Sequence, residues 1–276
     1  MIERFSDKQL KVLKALAAYK FLTYKQMITL GIENHSSNLS TLVAGLIKKK
    51  KSYIQKIPHR PGIPAKFYLT KRGANILIDH GGLKEEDIHY PKSKITTDTQ
   101  DQKHRTGIID LHISLVKDSS AEKAELLICD RYFDTVGSNR INRNLKSKTA
   151  LPYDESKSLK ADMITMLKTP LQKELYIIEL ENGKDSKKSI TKCFEHAKVL
   201  FQGSVHDKYN FKLGYRTLWV FEHQSTMHST LSSIQQDSYF ELINEYFLFN
   251  TFDSASSSFF SGWVNINNKE KKLFYI

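Results

Sequence analysis

The first residues of the chain combine a helix start signal with apolar positions at helical spacing. Ser6-Asp7-Lys8-Gln9 has the form of a capping box, in which a serine and a glutamine three residues later each bond the other's backbone amide. Leu10, Leu13 and Ala17 then recur three and four residues apart, as on one face of a helix. The pattern predicts a first helix that ends at about Tyr19.

Two more helices are predicted in the next thirty or so residues. Thr23-Tyr24-Lys25-Gln26 repeats the capping-box signal and starts a short helix, which Gly31 can end because glycine readily adopts the left-handed conformation of a helix stop. Ser36 or Ser37 can cap a third helix that runs through Lys50. Three helices thus fit into about fifty residues.

A hairpin is predicted after these helices. Residues 53–57 and 66–69 indicate two strands, and a turn rich in Pro and Gly separates them at 58–64. Thr70-Lys71-Arg72-Gly73 follows the second strand and can cap a further helix through about His80. This order, with its Leu-Thr-x-x-Gly step from strand to helix, resembles winged-helix proteins, in which the hairpin is the wing.

A polar segment divides the chain. Residues 83–102 mix acidic and basic side chains around Pro91, which is typical of a linker. The pattern therefore predicts a winged-helix DNA-binding domain at 1–82, a linker at 83–102 and a second domain at 103–276.

The second domain shows the order helix, three strands, helix, strand, which predicts an α/β domain in a chain of α+β class. Apolar periodicity indicates these elements near 104–116, 125–133, 159–167, 174–181, 185–201 and 215–221. Residues 224–276 form an extension rich in aromatic side chains. We expect it mainly to pack against the sheet, with a partner surface as the alternative.

The charge balance points to a polyanionic partner. The chain carries 42 Lys and Arg against 30 Asp and Glu, a net charge of +12 at pH 7. Nucleic acid is the leading expected partner, and lysines that serve only solubility are the alternative. Cys129 and Cys193 are too few for a disulfide framework or a cysteine-rich zinc site and fit a cytoplasmic protein. No signal peptide and no run of about 18 apolar residues is evident, so we expect no membrane partner.

The winged-helix region carries the side chains expected to contact DNA. Short polar groups near the start of the third helix suit base edges, and cations near its end and on the hairpin suit phosphates. The expected contact residues are Ser36, Ser37, Asn38, Lys48, Lys49, Lys56, Arg60, Lys66, Lys71 and Arg72. The alternative for the third helix is a capped surface helix with a solvated basic end.

Three carboxylates mark two neighbouring strands of the second domain. Residues two apart on a strand point to the same side, so Glu179 and Glu181 end a face that begins apolar, and Asp162 lies on the adjacent strand. Such like charges call for a cation, and oxygen ligands suit Mg²⁺ or Mn²⁺. An ion of this kind activates water and offsets charge in phosphoryl transfer. The alternative is a solvated strand end with surface ion pairs.

The helix after the acidic strand carries further polar candidates. Lys188 and Lys192 lie one helical turn apart and could approach an attacked phosphate, with solvated surface lysines as the alternative. His196, on the same helix, is expected to be a partly buried, hydrogen-bonded histidine rather than a ligand or a base.

The order of elements and the acidic motifs resemble the PD-(D/E)XK nuclease superfamily, whose core is helix, three strands, helix, strand, with Asp on the second strand and Glu-x-Lys on the third. Here Glu179-Leu180-Glu181 replaces Glu-x-Lys. A lysine relocated to the next helix is a variation known in that superfamily, which makes Lys192 the first candidate and Lys188 the second. With the preceding winged helix, residues 161–162, residues 176–183 and Lys192 look like the replication-relaxation family and the related MobC-type plasmid mobilisation proteins.

The resemblance implies a relaxase or endonuclease that acts on double-stranded DNA at a plasmid or mobile-element origin. It implies that Asp162, Glu179 and Glu181 hold Mg²⁺ or Mn²⁺ and that Lys192 completes the catalytic set. Accessory mobilisation proteins and a second copy of the chain are further candidate partners.

Two other functions stay open at this point. The first is a non-catalytic replication or transcription regulator, because members with a degenerate nuclease domain can bind DNA without cleaving it. The second is a small-molecule sensor, for which the sequence offers no glycine-rich phosphate loop.

Overall fold

The computed structural model describes residues 4–47, 51–57, 64–91, 101–136 and 146–273. The chain is a mixed α+β protein with two compact units, residues 1–113 and 114–276. The division falls inside a long helix, α5 (Gln102–Ala121), and not in the predicted linker at 83–102.

Before α5, the described residues of the N-terminal unit form four helices and a small antiparallel sheet in the order β1-β3-β2. Its elements before α5 are α1 (Asp7–Tyr19), β1 (Leu22–Thr23), α2 (Tyr24–Thr29), α3 (Ser36–Ile47), β2 (Ile54–Lys56), β3 (Lys66–Leu69), α4 (Lys71–Asp79) and a 3-10 turn (Glu85–Asp87). The predicted order of three helices, hairpin strands and a fourth helix is confirmed for the described residues.

Both predicted capping boxes are present. Ser6 Oγ accepts from the Gln9 amide at 3.3 Å, and Gln9 Oε1 accepts from the Ser6 amide at 3.0 Å. At α2, Thr23 Oγ1 and Gln26 Oε1 make the reciprocal bonds at 3.2 and 2.9 Å. Each box pairs amide hydrogens that would otherwise lack partners at the helix start.

The strand-to-helix step before α4 depends on a close approach to the backbone of Tyr53. Thr70 donates its amide to the Tyr53 carbonyl at 3.0 Å, and its hydroxyl donates to the Ser52 carbonyl at 2.7 Å and caps α4 by accepting from the Gly73 amide. A Cβ at Gly73 would overlap the same Tyr53 carbonyl oxygen. Glycine is required at this position because of steric contact.

Part of the predicted linker is packed structure. The Leu83 amide donates to the Leu77 carbonyl, Ile88 is buried, and the His89 amide donates to the Ala17 carbonyl at 2.8 Å. These contacts attach residues 83–89 to α4 and α1, so the linker prediction is wrong for that stretch. Only one apolar residue of this stretch, Ile88, is buried. A single apolar position gives no repeating hydrophobic pattern from which the packing could have been predicted.

The first turns of α5 are joined to α2 by the side chain that also caps α2. Gln26 Nε2 donates to the Thr106 carbonyl at 3.3 Å and to Asp110 Oδ1 at 2.9 Å. Burial raises the pKa of Asp110, and the bond from Gln26 opposes that rise. These two hydrogen bonds attach the start of α5 to the N-terminal unit.

The second unit is built on a seven-stranded sheet with the strand order β14-β13-β12-β11-β10-β9-β4. Its elements after α5 are β4 (Glu125–Arg131), β5 (Thr135–Val136), β6 (Lys146–Ser147), β7 (Ala150–Pro152), β8 (Ser158–Lys160), β9 (Met163–Lys168), β10 (Lys173–Glu181), α6 (Ser186–Gln202), α7 (Ser204–Tyr209), β11 (Arg216–Phe221), α8 (Gln224–Ile234), α9 (Ser238–Glu241), a 3-10 turn (Asn244–Tyr246), β12 (Phe247–Thr251), α10 (Phe252–Ser257), β13 (Trp263–Asn265) and β14 (Glu270–Lys271).

Strand direction in this sheet decides which residues meet. β10 runs antiparallel to β9 and parallel to β11. The end of β10 therefore lies at the same edge as the beginning of β9 and the end of β11. α6 connects β10 to β11 as a crossover and returns over the sheet.

The aromatic extension completes the sheet. Phe247 and Phe249 on β12 and Trp263 on β13 are fully buried, and the Phe249 ring lies 6.4 Å from that of Trp219 on β11. The segment was expected to pack against the sheet; it also supplies three of the strands of that sheet, β12, β13 and β14, which was not predicted. Among the residues that the structure describes, no helix combines the length and apolar character needed to cross a membrane.

We expect opposite effects from the same substitution at two helical glycines. Gly73→Ala introduces a clash with the Tyr53 carbonyl and should lower the free energy of unfolding by about 1–3 kcal/mol. Gly45→Ala in α3, where a Cβ meets no atom within 4 Å, should raise it by about 0.5–1 kcal/mol. Urea unfolding followed by far-UV circular dichroism measures both.

Tryptophan fluorescence provides the control for this pair, because Trp219 and Trp263 both lie in the second unit. Neither substitution should change the fluorescence transition if the two units unfold separately. Equal effects of the two alanines on the N-terminal unit would contradict the steric explanation.

Candidate functional site

Three predicted acidic residues meet at one edge of the large sheet. Asp162 directly precedes β9, and Glu179 and Glu181 lie in the last three residues of β10. The ladder pairs Ile178 with Met163, which brings the next residue of β10, Glu179, beside Asp162. All three side chains are almost completely buried.

Asp162 is held by the backbone of neighbouring segments. Its Oδ2 accepts from the Leu180 amide at 2.9 Å, and its carbonyl oxygen accepts from the Tyr132 amide at 2.9 Å. The carboxylate thus bonds the amide between the two glutamates. This contact sets the spacing between Asp162 and the end of β10.

Lys192 extends from α6 into the acidic group. Its Nζ lies 2.5 Å from Glu179 Oε2, 3.9 Å from Asp162 Oδ2 and 4.0 Å from Glu181 Oε1. The Lys192 side chain is 22% exposed, so the cluster borders solvent at this lysine. Lys188, one turn earlier, is exposed.

The charges of this carboxylate cluster, defined as Asp162, Glu179, Glu181 and Lys192, are strongly coupled. Burial raises the pKa of Glu179 and of Glu181, and the Lys192 ammonium opposes both rises. Burial acts to lower the pKa of Lys192, but the three carboxylates together raise it above its ordinary value. Lys192 is therefore a cation at neutral pH, and three ionised carboxylates beside it would leave two uncompensated negative charges.

His196 adds a contact that the sequence interpretation did not include. It is fully buried, and its Nε2 lies 2.6 Å from Glu179 Oε1. Within the described part of the chain, its Nδ1 has no hydrogen-bond partner. Burial and the nearby Lys192 lower the pKa of His196, which keeps the imidazole neutral. The one feature of the sequence that could have indicated this contact is the spacing of His196 from Lys192, one helical turn along α6.

The chemistry of these donors fits Mg²⁺ or Mn²⁺, since all three acidic side chains offer carboxylate oxygens. Their present arrangement is centred on the Lys192 ammonium. In the part of the chain that the structure describes, no group of three or more His, Cys, Asp or Glu side chains is positioned to hold a metal ion.

The predicted base-contacting residues lie together at the start of α3. Ser36, Ser37 and Asn38 are all exposed. Lys56, at the end of β2, and Lys71, at the start of α4, are also exposed. Lys48, Lys49 and Arg60, which were predicted to contact phosphate, lie outside the described residues.

Two predicted phosphate contacts are instead engaged inside the N-terminal unit. Lys66 is only 3% exposed, and its Nζ donates to the carbonyl and the side-chain oxygen of Gln102. Arg72 donates to the Lys51 carbonyl at 2.6 Å and stacks its guanidinium 4.4 Å from the ring centroid of Tyr53. The prediction for Lys66 is wrong because burial removes its ammonium from solvent. Arg72 serves the packing of the segment after α3.

We expect Lys192→Met to make stability strongly pH-dependent. The pKa values of Glu179 and Glu181 are raised in the folded state, so the unfolded chain loses these two protons at lower pH than the folded protein does. The free energy of unfolding therefore falls as pH rises above about 4.3, the ordinary pKa of Glu. Removing the ammonium raises both pKa values further. Relative to the native protein, the variant should lose about 3 kcal/mol or more as pH rises from about 5 to about 8.

Urea midpoints measured across this pH range test the effect, with Lys188→Met as the control for an exposed lysine on the same helix. A constant difference between Lys192→Met and the native protein at all pH values would show that Lys192 does not balance these carboxylates.

Comparison of the chain with protein-family models, with curated proteins and with solved structures finds no match.

Proposed function

We propose that this chain is a sequence-directed DNA-binding protein whose second unit is a metal-dependent DNA endonuclease, acting as a relaxase at a plasmid or mobile-element origin. The observation that carries the proposal is the convergence of Asp162, Glu179 and Glu181 on the ammonium of Lys192. Buried carboxylates from two adjacent strands, with a lysine at their centre, are a costly arrangement for stability alone.

The order of elements in the second unit supports this proposal. The part of α5 in this unit, then β4, β9, β10, α6 and β11, follow the order helix, three strands, helix, strand that is typical of PD-(D/E)XK nucleases. The short strand pairs β5–β6 and β7–β8 before β9 and helix α7 before β11 are additions to that order. Asp162 directly precedes the second core strand, and the two glutamates end the third. This placement supports the proposed likeness to that superfamily, with Glu181 at the position of its motif lysine.

The chain's own residues suggest how such a site would work. Asp162, Glu179 and Glu181 would hold Mg²⁺ or Mn²⁺, which when bound supplies an activated water and offsets charge on the phosphate. Lys192 would leave Glu179 and pair with a phosphate oxygen, since its long side chain borders solvent. The ammonium that now balances the carboxylates would then stabilise substrate charge.

The N-terminal unit supports DNA binding as a winged helix. Its antiparallel sheet, the hairpin strands β2 and β3, and the exposed polar start of α3 follow that arrangement. Ser36, Ser37 and Asn38 would meet base edges, and Lys56 and Lys71 would meet phosphates.

A non-catalytic DNA-binding regulator is the second candidate, and one observation favours it. Both oxygens of Glu179 are already bonded, one to Lys192 and one to His196. With both oxygens occupied, Glu179 needs no metal ion to satisfy them. Under this alternative, the second unit would serve docking or dimerisation.

Nicking of supercoiled plasmid that carries the protein's own origin region separates these candidates. With Mn²⁺, the native protein should convert the plasmid to the open circular form, and Glu179→Gln should reduce the rate by about 100-fold or more, because it removes a proposed metal ligand. The control is Glu174→Gln, which changes a carboxylate at the other end of the same strand, bonded there to Gln172.

Intact plasmid with Mg²⁺ and Mn²⁺, despite demonstrated DNA binding, would favour the regulator. Equal losses in Glu179→Gln and Glu174→Gln would contradict the assignment of the site.

DNA binding itself is tested by separating base contacts from phosphate contacts. Asn38→Ala should weaken binding to the origin duplex by about 1–3 kcal/mol and leave a scrambled duplex almost unchanged. Lys71→Gln should weaken both duplexes and reduce the slope of log affinity against log salt by about one. Fluorescence anisotropy at several salt concentrations measures these quantities.

Lys14→Gln, which removes an exposed cation from α1, is the matched control for Lys71→Gln. If Lys14 and Lys71 affect the salt slope equally, binding depends on net charge and not on the proposed surface.

A further inference from the structure

We propose that His196 is the positioning residue of the carboxylate cluster. Its neutral imidazole carries a hydrogen on Nε2, donates it to Glu179 Oε1, and leaves Oε2 as the oxygen that Glu179 presents to a cation. The inference deepens the proposed function, on which it rests where the cation is a catalytic metal ion.

The tautomer follows from the partners of the two ring nitrogens. A neutral imidazole has one donor and one acceptor nitrogen. In the described residues Nδ1 has no partner, whereas Nε2 lies 2.6 Å from Glu179 Oε1. A hydrogen on Nδ1 would be a buried donor without an acceptor, which is rarer in proteins than a buried acceptor without a donor. The hydrogen therefore belongs on Nε2.

The donors that face Glu179 agree with this tautomer. Lys192 can only donate, and its Nζ faces Oε2 at 2.5 Å. With a hydrogen on His196 Nε2, each oxygen of Glu179 accepts from one donor, Oε2 from Lys192 and Oε1 from His196.

The orientation of the ring is set by the neighbouring strand. Glu179 on β10 pairs with Trp219 on β11 in the parallel ladder, so the two side chains are neighbours on one face of the sheet. The His196 ring meets the Trp219 ring edge-on, with centroids 5.3 Å apart and an interplanar angle of 78°. Cys193 and Ala197, on either side along α6, are also fully buried. The ring is thus enclosed by α6 and β11 while it bonds Glu179.

This packing gives the two oxygens of the carboxylate different partners. Oε1 is bonded within the core, and Oε2 points to the partly exposed Lys192. Partners of metal-ligating side chains orient the ligand in this way, and their loss commonly weakens metal affinity or activity by about 10–100-fold. His196 would not contact the cation; it would act by fixing the orientation of the Glu179 carboxylate.

Two substitutions separate positioning from packing. His196→Gln keeps an N–H donor near the position of Nε2, and His196→Leu keeps apolar volume without a donor. We expect His196→Leu to weaken Mn²⁺ binding by about 10–100-fold in calorimetry, and His196→Gln to stay within a few-fold of the native protein. His228→Leu, at an exposed histidine on α8, is the control and should leave Mn²⁺ affinity unchanged.

Nuclear magnetic resonance of labelled histidine in the full chain provides a readout that is independent of metal and activity. The ¹⁵N shifts of His196 should show a protonated Nε2 and a bare Nδ1 at neutral pH. A hydrogen on Nδ1, or a doubly protonated ring, would overturn the proposal. So would equal losses of Mn²⁺ affinity in His196→Leu and His196→Gln, because the retained donor would then have no effect.

The outcomes also distinguish this inference from the proposed function. Mn²⁺ binding that depends on the His196 donor, without nicking of DNA, would overturn the nuclease and support the positioning role. A native protein that binds no Mn²⁺ would overturn both the metal site and the role of His196 in it. If His196→Leu does not fold, as judged by circular dichroism, the tautomer measurement on the native protein still decides the hydrogen bond.

Discussion

The second unit depends on one electrostatic constraint, the balance between three buried carboxylates and the ammonium of Lys192. Glu179 is completely buried, and a buried carboxylate without a partner would cost several kcal/mol. Lys192 and His196 each bond one of its oxygens, so neither oxygen is left bare. The two partners come from one helix, which must therefore lie over the end of β10 in this register. The contacts that form the proposed site therefore also stabilise the fold.

The strand directions are what allow this balance. Antiparallel pairing of β9 with β10 brings Asp162 to the end of the glutamate-bearing strand, and parallel pairing of β10 with β11 requires the crossover helix that carries Lys192. Trp219 then fills the space beside Glu179 and encloses the His196 ring. Charged groups, aromatic packing and strand directions thus meet at Glu179.

The N-terminal unit shows how cations divide between solvent and core. Lys56 and Lys71 are exposed, whereas Lys66 bonds Gln102 inside the unit and Arg72 stacks on Tyr53. All four appeared equivalent as basic residues on or beside a hairpin. The difference arises because Lys66 and Arg72 lie beside segments that are distant in sequence, the start of α5 and the loop after α3. Long cationic side chains readily serve both environments, since their stems are apolar.

The sequence by itself determined the local elements, because their signals are local. Capping boxes at Ser6 and Thr23, apolar spacing and turn residues act within a few positions, and the order of the longer elements up to β11 followed from them. The short strands β1 and β5–β8, the helices α7–α10 and the strands β12–β14 were not predicted. The sequence also predicted that Asp162, Glu179 and Glu181 belong together, because strand alternation and adjacency are regular. The partners of these residues were decided by tertiary structure alone. The burial of Lys66, the attachment of residues 83–89 to α1 and α4, and the bond from His196 to Glu179 all join segments whose approach depends on the packing of the whole unit, which no spacing along the chain encodes.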